Sequence, residues 1–260
     1  MKRTILALIL LICFIATMTA CSRANPMTFT SPTVYTDPTD PTVTPDPPEP
    51  EHSELYIPDL PVEDVITYFN EVALDAEYSD GDGNPSLIQK WEEPLVYRVL
   101  GWPTEKDLQV LTDFCAYLNT IEGFPGIREA NATEAGNLQI TFCSRAGIIA
   151  AMGSEHADAD GLVTYWYNND RNDIYKSDIY ISTEVLQEVR NSVIQEELYN
   201  GLGLTQDTSL REDSIIFSGY STPQELTEID DLLLKLICHP DIKPGMNAAQ
   251  CEAVIRSLYY

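Results

Sequence analysis

Basic residues are scarce in this chain. Lysine and arginine together number 15 against 41 aspartates and glutamates, which gives a formal net charge of -26 at pH 7. Proteins bind nucleic acids largely through lysine and arginine contacts to phosphates, and a strongly acidic surface repels phosphate backbones. The composition therefore argues against nucleic-acid binding.

Histidine is nearly absent as well. Only His52, His156 and His239 occur, the first in a proline-rich segment and the other two in loop-like or helix-end surroundings. Hydrolytic zinc sites in proteins use imidazole or thiolate ligands around an open position. A conventional zinc peptidase site is therefore not expected. The sequence also lacks a nucleophile elbow, a phosphate-binding loop and a dinucleotide fingerprint.

The longest apolar run stands at the beginning of the chain. Lys2 and Arg3 precede apolar residues 5–15, and small residues follow up to Cys21. This order is typical of a cleavable secretory signal, and the run is too short to span a bilayer comfortably. A permanent transmembrane helix is the weaker interpretation.

The sequence MTAC at residues 18–21 resembles the lipobox of bacterial lipoproteins. That resemblance implies a signal peptide of residues 1–20 and acylation of Cys21 at the new N-terminus. Stable anchoring needs more than one acyl chain, and lipoproteins carry several, as palmitate or similar groups. We therefore expect the protein to be lipid-anchored at the extracytoplasmic face of a cell membrane. The alternative is an ordinary signal peptide with a chance cysteine.

Composition divides the mature chain into two parts. Residues 21–54 are rich in Pro, Thr, Asp and Glu, a composition that cannot bury a core and favours an extended tether. Residues 55–260 are dense in aliphatic and aromatic residues and predict a single domain.

Four cysteines remain in the predicted domain, and in an oxidising compartment they could form two disulfides with three connectivities. We favour a bridge between Cys238 and Cys251, because the prolines and Gly245 between them can turn the chain back on itself. Their spacing lacks a zinc-knuckle pairing, so a metal cluster is the weaker interpretation. The remaining candidates are Cys115 and Cys143.

Hydrophobic periodicity in the domain predicts alternating helices and strands. The pattern therefore favours an α+β fold, a mixed sheet with packed helices. The predicted helices are residues 62–76, 105–121 and 184–202, and the predicted strands are residues 94–100, 137–143, 162–167 and 178–182.

Residues 80–84, DGDGN, have the alternating oxygens that begin a calcium loop. Pro85 stands where such a loop needs glycine, and no glutamate follows at the closing position. We interpret the segment as a plain turn.

The sequence QEELYNGLGL at residues 195–204 resembles a metzincin active-site helix whose zinc ligands are replaced. In that family two histidines one helical turn apart bind zinc, and the glutamate after the first is the general base. Glu196 and Asn200 occupy the two histidine positions, Glu197 keeps the glutamate and Gly203 keeps the turn. Gln206 or Asp207 falls near the third ligand.

Further stretches extend this resemblance. Residues 214–217 resemble the tight turn below the metal, with Ile216 at the methionine position, and residues 226–234 resemble the closing helix. The whole domain, including residues 90–94 and 240–246, is still more similar to a bacterial family of predicted lipoproteins with a domain of unknown function, in which paired glutamates also replace the zinc motif. The resemblance implies a zincin-like fold with a former active-site helix.

The replaced ligands limit the chemistry. Glu197 would be the catalytic residue only if activity remained, and no cofactor is expected. Glu196, Asn200 and Asp207 offer oxygen atoms that could bind a hard cation such as calcium, although acidic pairs on helices are usually solvated. Hydrolysis of a glycan by Glu196 and Glu197 is disfavoured, because adjacent helical residues point about 100 degrees apart.

Two functions stay open at this point. The first is a non-catalytic module that keeps the zincin-like cleft and binds a peptide, a wall polymer or a partner protein at the cell surface. The second is a divergent hydrolase that uses Glu197 with atypical ligands. Tyr165, Trp166 and Tyr167 near an edge strand could line a groove, although aromatic strand residues more often belong to the core.

Overall fold

A computed structural model of the protein describes residues 53–74, 86–220 and 222–260. The predicted signal peptide, Cys21, most of the tether with His52, and the turn at residues 80–84 lie outside the described residues, so they stay predictions. The described residues belong to one compact unit, residues 50–260. They contain no helix that is long and apolar enough to cross a membrane.

The described chain folds into six helices and six strands, with a single turn of 3-10 helix at Ser154–His156 before β5. The helices are α1 (Val62–Leu74), α2 (Glu105–Leu118), α3 (Arg145–Met152), α4 (Gln187–Asn200), α5 (Glu228–Cys238) and α6 (Ala248–Tyr259). The strands are β1 (Lys90–Trp91), β2 (Leu95–Gly101), β3 (Ile127–Glu129), β4 (Leu138–Cys143), β5 (Gly161–Tyr167) and β6 (Asp173–Ser182).

The strands form one mixed sheet in the order β1-β6-β4-β2-β3, and β5 pairs with β6. Every pairing is parallel except that of β5 with β6, which is antiparallel. Alternate residues of β4 and β6, among them Ile140, Ile179 and Ile181, are fully buried in the core. The predicted mixed sheet with packed helices is thereby confirmed at the level of an α/β architecture.

Local sequence sets the beginnings of two helices. Thr104 is the N-cap residue before α2, and Thr227 is the N-cap residue before α5. Each forms a capping box in which its hydroxyl accepts a hydrogen bond from the backbone N–H of the third helical residue. The carboxylates of Asp107 and Asp230 in turn accept a hydrogen bond from the backbone N–H of Thr104 and Thr227, respectively. Such caps satisfy N–H groups that the helix itself leaves unpaired.

Two helices are shorter than predicted. Instead of reaching residue 121, α2 ends at Leu118, and the carboxamide of Asn119 bonds both backbone groups of Ile127 and so fixes the start of β3. Instead of starting at residue 184, α4 starts at Gln187. The backbone N–H of Thr183 continues the sheet by donating a hydrogen bond to the backbone oxygen of Cys143. The backbone N–H of Glu184 donates to the Ser182 hydroxyl.

All four domain cysteines are free thiols in the structure, so neither predicted disulfide is formed there. Cys115, Cys238 and Cys251 are buried in α2, α5 and α6 respectively, while Cys143 is half-buried at the end of β4. Burial raises the pKa of Cys115 and Cys238 to about 12 and that of Cys251 to about 11. These thiols are therefore protonated at neutral pH.

Candidate functional site

The helix α4 carries the motif and is buried along most of its length. Glu197 is 6% exposed and Asn200 is 9% exposed, whereas Glu196 is half-buried. An ion pair between buried Arg190 and buried Asp107 joins α4 to α2, with 2.7 Å between Nε and Oδ1. The ion pair thus fixes α4 against α2.

Gly161, the first residue of β5, lies in close contact with this helix. A Cβ atom added at Gly161 would lie 2.5 Å from Oε1 of Glu197 and 2.4 Å from Cγ1 of Val193. These distances are shorter than any van der Waals contact, so only glycine permits the approach. Glu197 consequently lies directly beneath the start of the antiparallel edge strand.

Four carboxylates influence one another at this place. Burial, followed by the charges of Asp207 and Asp160, raises the pKa of Glu196 to about 8. Burial, followed by the charges of Glu196 and Asp207, raises the pKa of Glu197 well above its ordinary value. Desolvation and like charge both favour the protonated carboxyl.

The outer carboxylates, Asp207 and Asp160, differ in exposure and in position. Asp207 is exposed, in the loop after α4. Asp160 immediately precedes β5 and forms an ion pair with Arg145 of α3. The four carboxylates therefore range from exposed, at Asp207, to buried, at Glu197.

Asn200 lies one helical turn after Glu196. Its Oδ1 atom is buried and has no hydrogen-bond partner within the described part of the chain. Buried polar atoms in native proteins nearly always have a partner, so an unpaired one needs an explanation.

The structure brings together most of the predicted oxygen donors and leaves the histidines elsewhere. Glu196, Glu197 and Asp207 interact electrostatically. His156 ends the 3-10 turn before β5, and His239 caps α5, where its Nδ1 accepts a hydrogen bond from Asp241 N–H. Among the described residues no group of three or more His, Cys, Asp or Glu side chains is arranged to hold a metal ion.

The turn after α4 depends on Gly203. Its φ angle is +106°, and an added Cβ would lie 2.0 Å from the backbone oxygen of Gln89. Next to it, the indole Nε1 of Trp91 donates a 2.9 Å hydrogen bond to the oxygen of Gly201. The segment around β1 thus holds the end of the helix in place.

The start of β1 and the segment after α5, residues 239–246, are in direct contact. The buried Lys90 ammonium donates to the backbone oxygens of His239 and Ile242, at 3.2 Å and 2.9 Å. The Lys90 side chain therefore links these two segments.

The predicted turn at residues 214–217 packs on the start of α5. The Ser214 hydroxyl donates to Asp230 Oδ1 at 2.5 Å, and Ile215 N–H donates to Oδ2 of the same carboxylate. Ile216, at the methionine position of the resemblance, is 1% exposed. Asp230 therefore connects the turn and the closing helix.

Two residues of the site were missed in the sequence, Asp160 and Gly161. The dipeptide Asp-Gly before an aromatic strand is a local turn signal, but its contact with α4 is a product of the tertiary fold.

The profile of a protein family matches residues 63–257, which is most of the chain. Its description is "Protein of unknown function (DUF2927)". The chain belongs to this family. Comparison with curated proteins finds no match.

The aromatic residues of β5 in this DUF2927 domain divide between the two faces of the strand. Tyr165 packs against the core and donates a 2.8 Å hydrogen bond to Gln89, and its ring lies 6.4 Å from that of Tyr167. Trp166 is 38% exposed on the other face, where the Lys176 ammonium lies 4.1 Å from its ring centroid. Tyr165 thus has the core role, whereas Tyr167 and Trp166 reach solvent.

A cavity of about 1250 Å³ lies on another side of α4, between α2, α4 and α5. Its lining includes Asn191 and Gln195 of α4 but neither Glu196 nor Glu197. The carboxylate site of the DUF2927 domain is therefore separate from this cavity.

Proposed function

We propose that the protein is exported, anchored to the membrane through a lipidated Cys21, and presents its DUF2927 domain as a non-catalytic binding module of zincin-like shape. One observation carries the proposal: the helix in the position of an active-site helix lies beneath an edge strand, yet carries carboxylates and an amide where imidazole ligands would stand. A protein that keeps the cleft without nitrogen ligands is suited to binding more than to metal-assisted hydrolysis.

The order of elements supports the zincin-like shape. An antiparallel edge strand, β5, precedes the strand β6 that leads into α4, and the turn at residues 214–217 and helix α5 follow. The glycine turn at Gly203 and the buried Ile216 agree with the same resemblance.

The edge strand supplies a means of binding. Within the described residues β5 pairs only with β6, so its other edge offers backbone N–H and C=O groups. Extended peptides bind such edges by adding a strand, and the side chains along the edge provide specificity. A peptide segment is therefore the ligand that this surface suits best.

The second candidate function is a divergent hydrolase that uses Glu197 with atypical ligands. The raised pKa of this buried carboxyl is the observation in its favour, since perturbed carboxyls are common among catalytic acids and bases. Its weakness is the absence of metal-ligand groups among the described side chains.

Metal analysis and peptide-library cleavage of the purified protein distinguish the two functions. We expect no stoichiometric metal and no cleavage, and equal results for wild type and Glu197→Gln. Glu188→Gln, which removes one exposed carboxylate from the same helix, is the matched control. Bound metal together with cleavage that only Glu197→Gln abolishes would establish the hydrolase instead.

The anchor is tested separately by Cys21→Ser in the full chain. We expect the variant to move from the membrane fraction to the soluble fraction, because removal of the acyl chains removes the free energy of insertion. Unchanged membrane attachment would refute the lipid anchor without bearing on the domain.

A further inference from the structure

The cavity between α2, α4 and α5, which we call the α2–α5 cavity, has a volume of about 1250 Å³. Pockets for small-molecule ligands usually measure about 300–1,000 Å³, so this cavity has room for a larger occupant. Its lining includes neither Glu196 nor Glu197. A ligand of this cavity would therefore bind apart from the carboxylates of α4.

The floor of the α2–α5 cavity is mainly apolar. Phe114 and Ile121 are buried there, and Gln195 is held by hydrogen bonds from its Nε2 to two backbone oxygens. Other apolar and aromatic side chains of the lining pack on the hydrophobic core and stay half-buried: Leu55, Val110, Tyr117, Leu226 and Leu258. Apolar surface gathered in one place favours a partner that removes it from water.

The exposed part of the lining, which forms the rim, is mainly acidic. Its exposed carboxylates are Glu54, Asp113, Glu122, Glu225 and Glu228. None of them forms an ion pair within the described chain. The lysines of the lining are Lys106 and Lys235, and Lys235 already pairs with Asp231 at 2.7 Å. The rim therefore carries negative charge that the domain does not neutralise.

The cavity follows helix α2 over about three turns. Its lining residues on that helix recur at every turn: Lys106, Val110, Asp113, Phe114 and Tyr117. From first to last, at about 1.5 Å per residue, they span about 16 Å, so a matching occupant is elongated. The other walls are also helix faces, with Asn191 and Gln195 one turn apart on α4 and Asp231 and Lys235 one turn apart on α5. Helical walls of this kind receive an amphipathic helix by interdigitation of side chains.

The chain enters the domain beside the same cavity, since Ser53, Glu54 and Leu55 belong to its lining. The tether that precedes them is acidic: residues 37–51 contain five aspartates and glutamates and no lysine or arginine. Because this charge has the same sign as that of the rim, repulsion disfavours the tether as the occupant. Complementary charge favours a basic partner instead.

We propose that the α2–α5 cavity binds an amphipathic helix of a partner protein, with apolar residues on one face and lysine or arginine beside them. The apolar face covers the half-buried side chains of the floor, and the basic residues approach the exposed carboxylates of the rim. An apolar centre with a polar rim is the usual anatomy of a protein interface. The cavity is separate from the edge strand β5, so this inference is independent of peptide binding at that strand.

Three blocked peptides of about 14 residues, the length of α2, test the inference on the purified protein. The first has leucine along one helical face and lysine elsewhere. The second has glutamate in place of every lysine, and the third has the composition of the first in an order that spreads leucine around the helix. Calorimetric titration at about 0.15 M salt limits long-range attraction, since charges are screened beyond about 8 Å.

We expect the first peptide to bind at least about tenfold more tightly than either of the others. Val110→Arg should weaken that binding at least about tenfold, because it places a positive charge and a longer side chain in the cavity. Leu108→Arg is the matched control, since Leu108 is exposed on the same helix outside the lining and should change the affinity less than about twofold. Neither position is buried, so both variants should fold.

The role of the rim is tested by removing two of its carboxylates. Asp113→Asn combined with Glu228→Gln should weaken binding of the first peptide at least about threefold more than Glu92→Gln combined with Glu129→Gln. The second pair of residues is exposed and lies outside the lining, so both double variants change the net charge equally. A difference between them therefore reports local complementarity rather than the charge of the whole protein.

Equal losses in Val110→Arg and Leu108→Arg, or equal affinities of the three peptides, would overturn the inference. Failure of all three peptides to bind would overturn it as well, and would leave peptide binding at β5 untouched. A peptide of residues 40–52 that binds to wild type but not to Val110→Arg would assign the cavity to the tether of this chain. Self-association of the protein that Val110→Arg abolishes would assign it to a second copy.

Discussion

At the scale of single residues, the buried carboxyls of α4 determine how the protein responds to pH. A carboxyl whose pKa is raised on folding holds a proton that the unfolded chain releases. Its contribution to stability is therefore complete below the ordinary pKa of about 4.5 and is lost as the pH rises through the folded value, about 8 for Glu196. Glu197, whose pKa burial raises well above its ordinary value, contributes a loss of the same sign.

We therefore expect the free energy of unfolding to fall between about pH 5 and pH 8.5, and Glu197→Gln to flatten this fall. Since glutamine cannot ionise, the variant should be more stable than wild type at pH 8.5 by on the order of 1–3 kcal/mol and nearly equal to it at pH 5. Urea denaturation at the two pH values measures both differences. If the free energy of unfolding fell with pH as steeply in Glu197→Gln as in wild type and Glu188→Gln, the raised pKa of Glu197 would not be the cause of the fall.

Gly203 and Gly126 together distinguish two costs of replacing a glycine, the conformational strain of a positive φ angle and a steric clash of the added Cβ. Gly203→Ala places a Cβ in a left-handed conformation and drives it to within 2.0 Å of the Gln89 backbone, whereas Gly126, with φ at +97°, has only one atom nearby, at 3.8 Å. Gly126→Ala should cost about 1–2 kcal/mol of conformational strain. Gly203→Ala should cost clearly more, measured as the difference in urea midpoints. Equal losses would mean that the segment before β1 moves away freely.

At the scale of elements, the Asp107–Arg190 pair holds the helix α4 in place. Burial would raise the pKa of Asp107, but hydrogen bonds from Arg190, Thr104 and Gln187 outweigh it and hold that pKa below its ordinary value. Arg190 also donates to the backbone oxygens of Thr183 and Val185, and so supports the turn that leads into the helix.

Arg190→Met should therefore destabilise the protein by about 3–5 kcal/mol, because it leaves a buried carboxylate without its partner. Arg256→Met is the control: its pairs with Glu63 and Glu252 are exposed, and exposed pairs contribute little to stability. Chemical denaturation of both variants gives the comparison. A loss below about 1 kcal/mol for Arg190→Met would show that the capping bonds of Thr104 and Gln187 suffice for Asp107.

The same elements show what the sequence could predict. The predicted bounds of β2 and β4 and the predicted start of α2 agree closely with the structure. The closing helix was placed at residues 226–234 by resemblance alone, whereas α5 spans Glu228–Cys238. α4 is buried on nearly all sides and has little amphipathic contrast, so its first turn could not be located from periodicity. β1 and β3 have two and three residues, too short for any pattern, and depend on partners far away in the sequence.

The candidate site divides in the same way. Glu196, Glu197 and Asn200 share a helix, so their spacing alone predicted their proximity. Asp160 and Gly161 come from the strand that the sheet brings over α4, and only the tertiary fold shows that contact. The burial of Glu197, which decides its chemistry, likewise depends on the approach of β5.

At the scale of the whole molecule, several of the few basic residues form ion pairs with acidic residues close in sequence. Three such ion pairs are Arg128 with Glu134, Arg171 with Asp173, and Arg211 with Asp213. The remaining acidic excess is therefore not neutralised inside the domain. A long-range field of this sign attracts basic partners and repels anionic ones.

The cysteines report on the cooperativity of the whole domain. Cys115, Cys238 and Cys251 lie buried in three different helices, and burial keeps their pKa values far above neutrality. The thiolate is the nucleophile that attacks a thiol reagent, and Cys143 alone of the four is half-buried. At pH 7.5 we therefore expect only Cys143 to react in the folded state and all four to react in denaturant. Because the three helices share one core, the buried thiols should become reactive together, at the rate of global unfolding. Fewer than four reactive thiols in the denatured, non-reduced domain would instead support the disulfides predicted from the sequence.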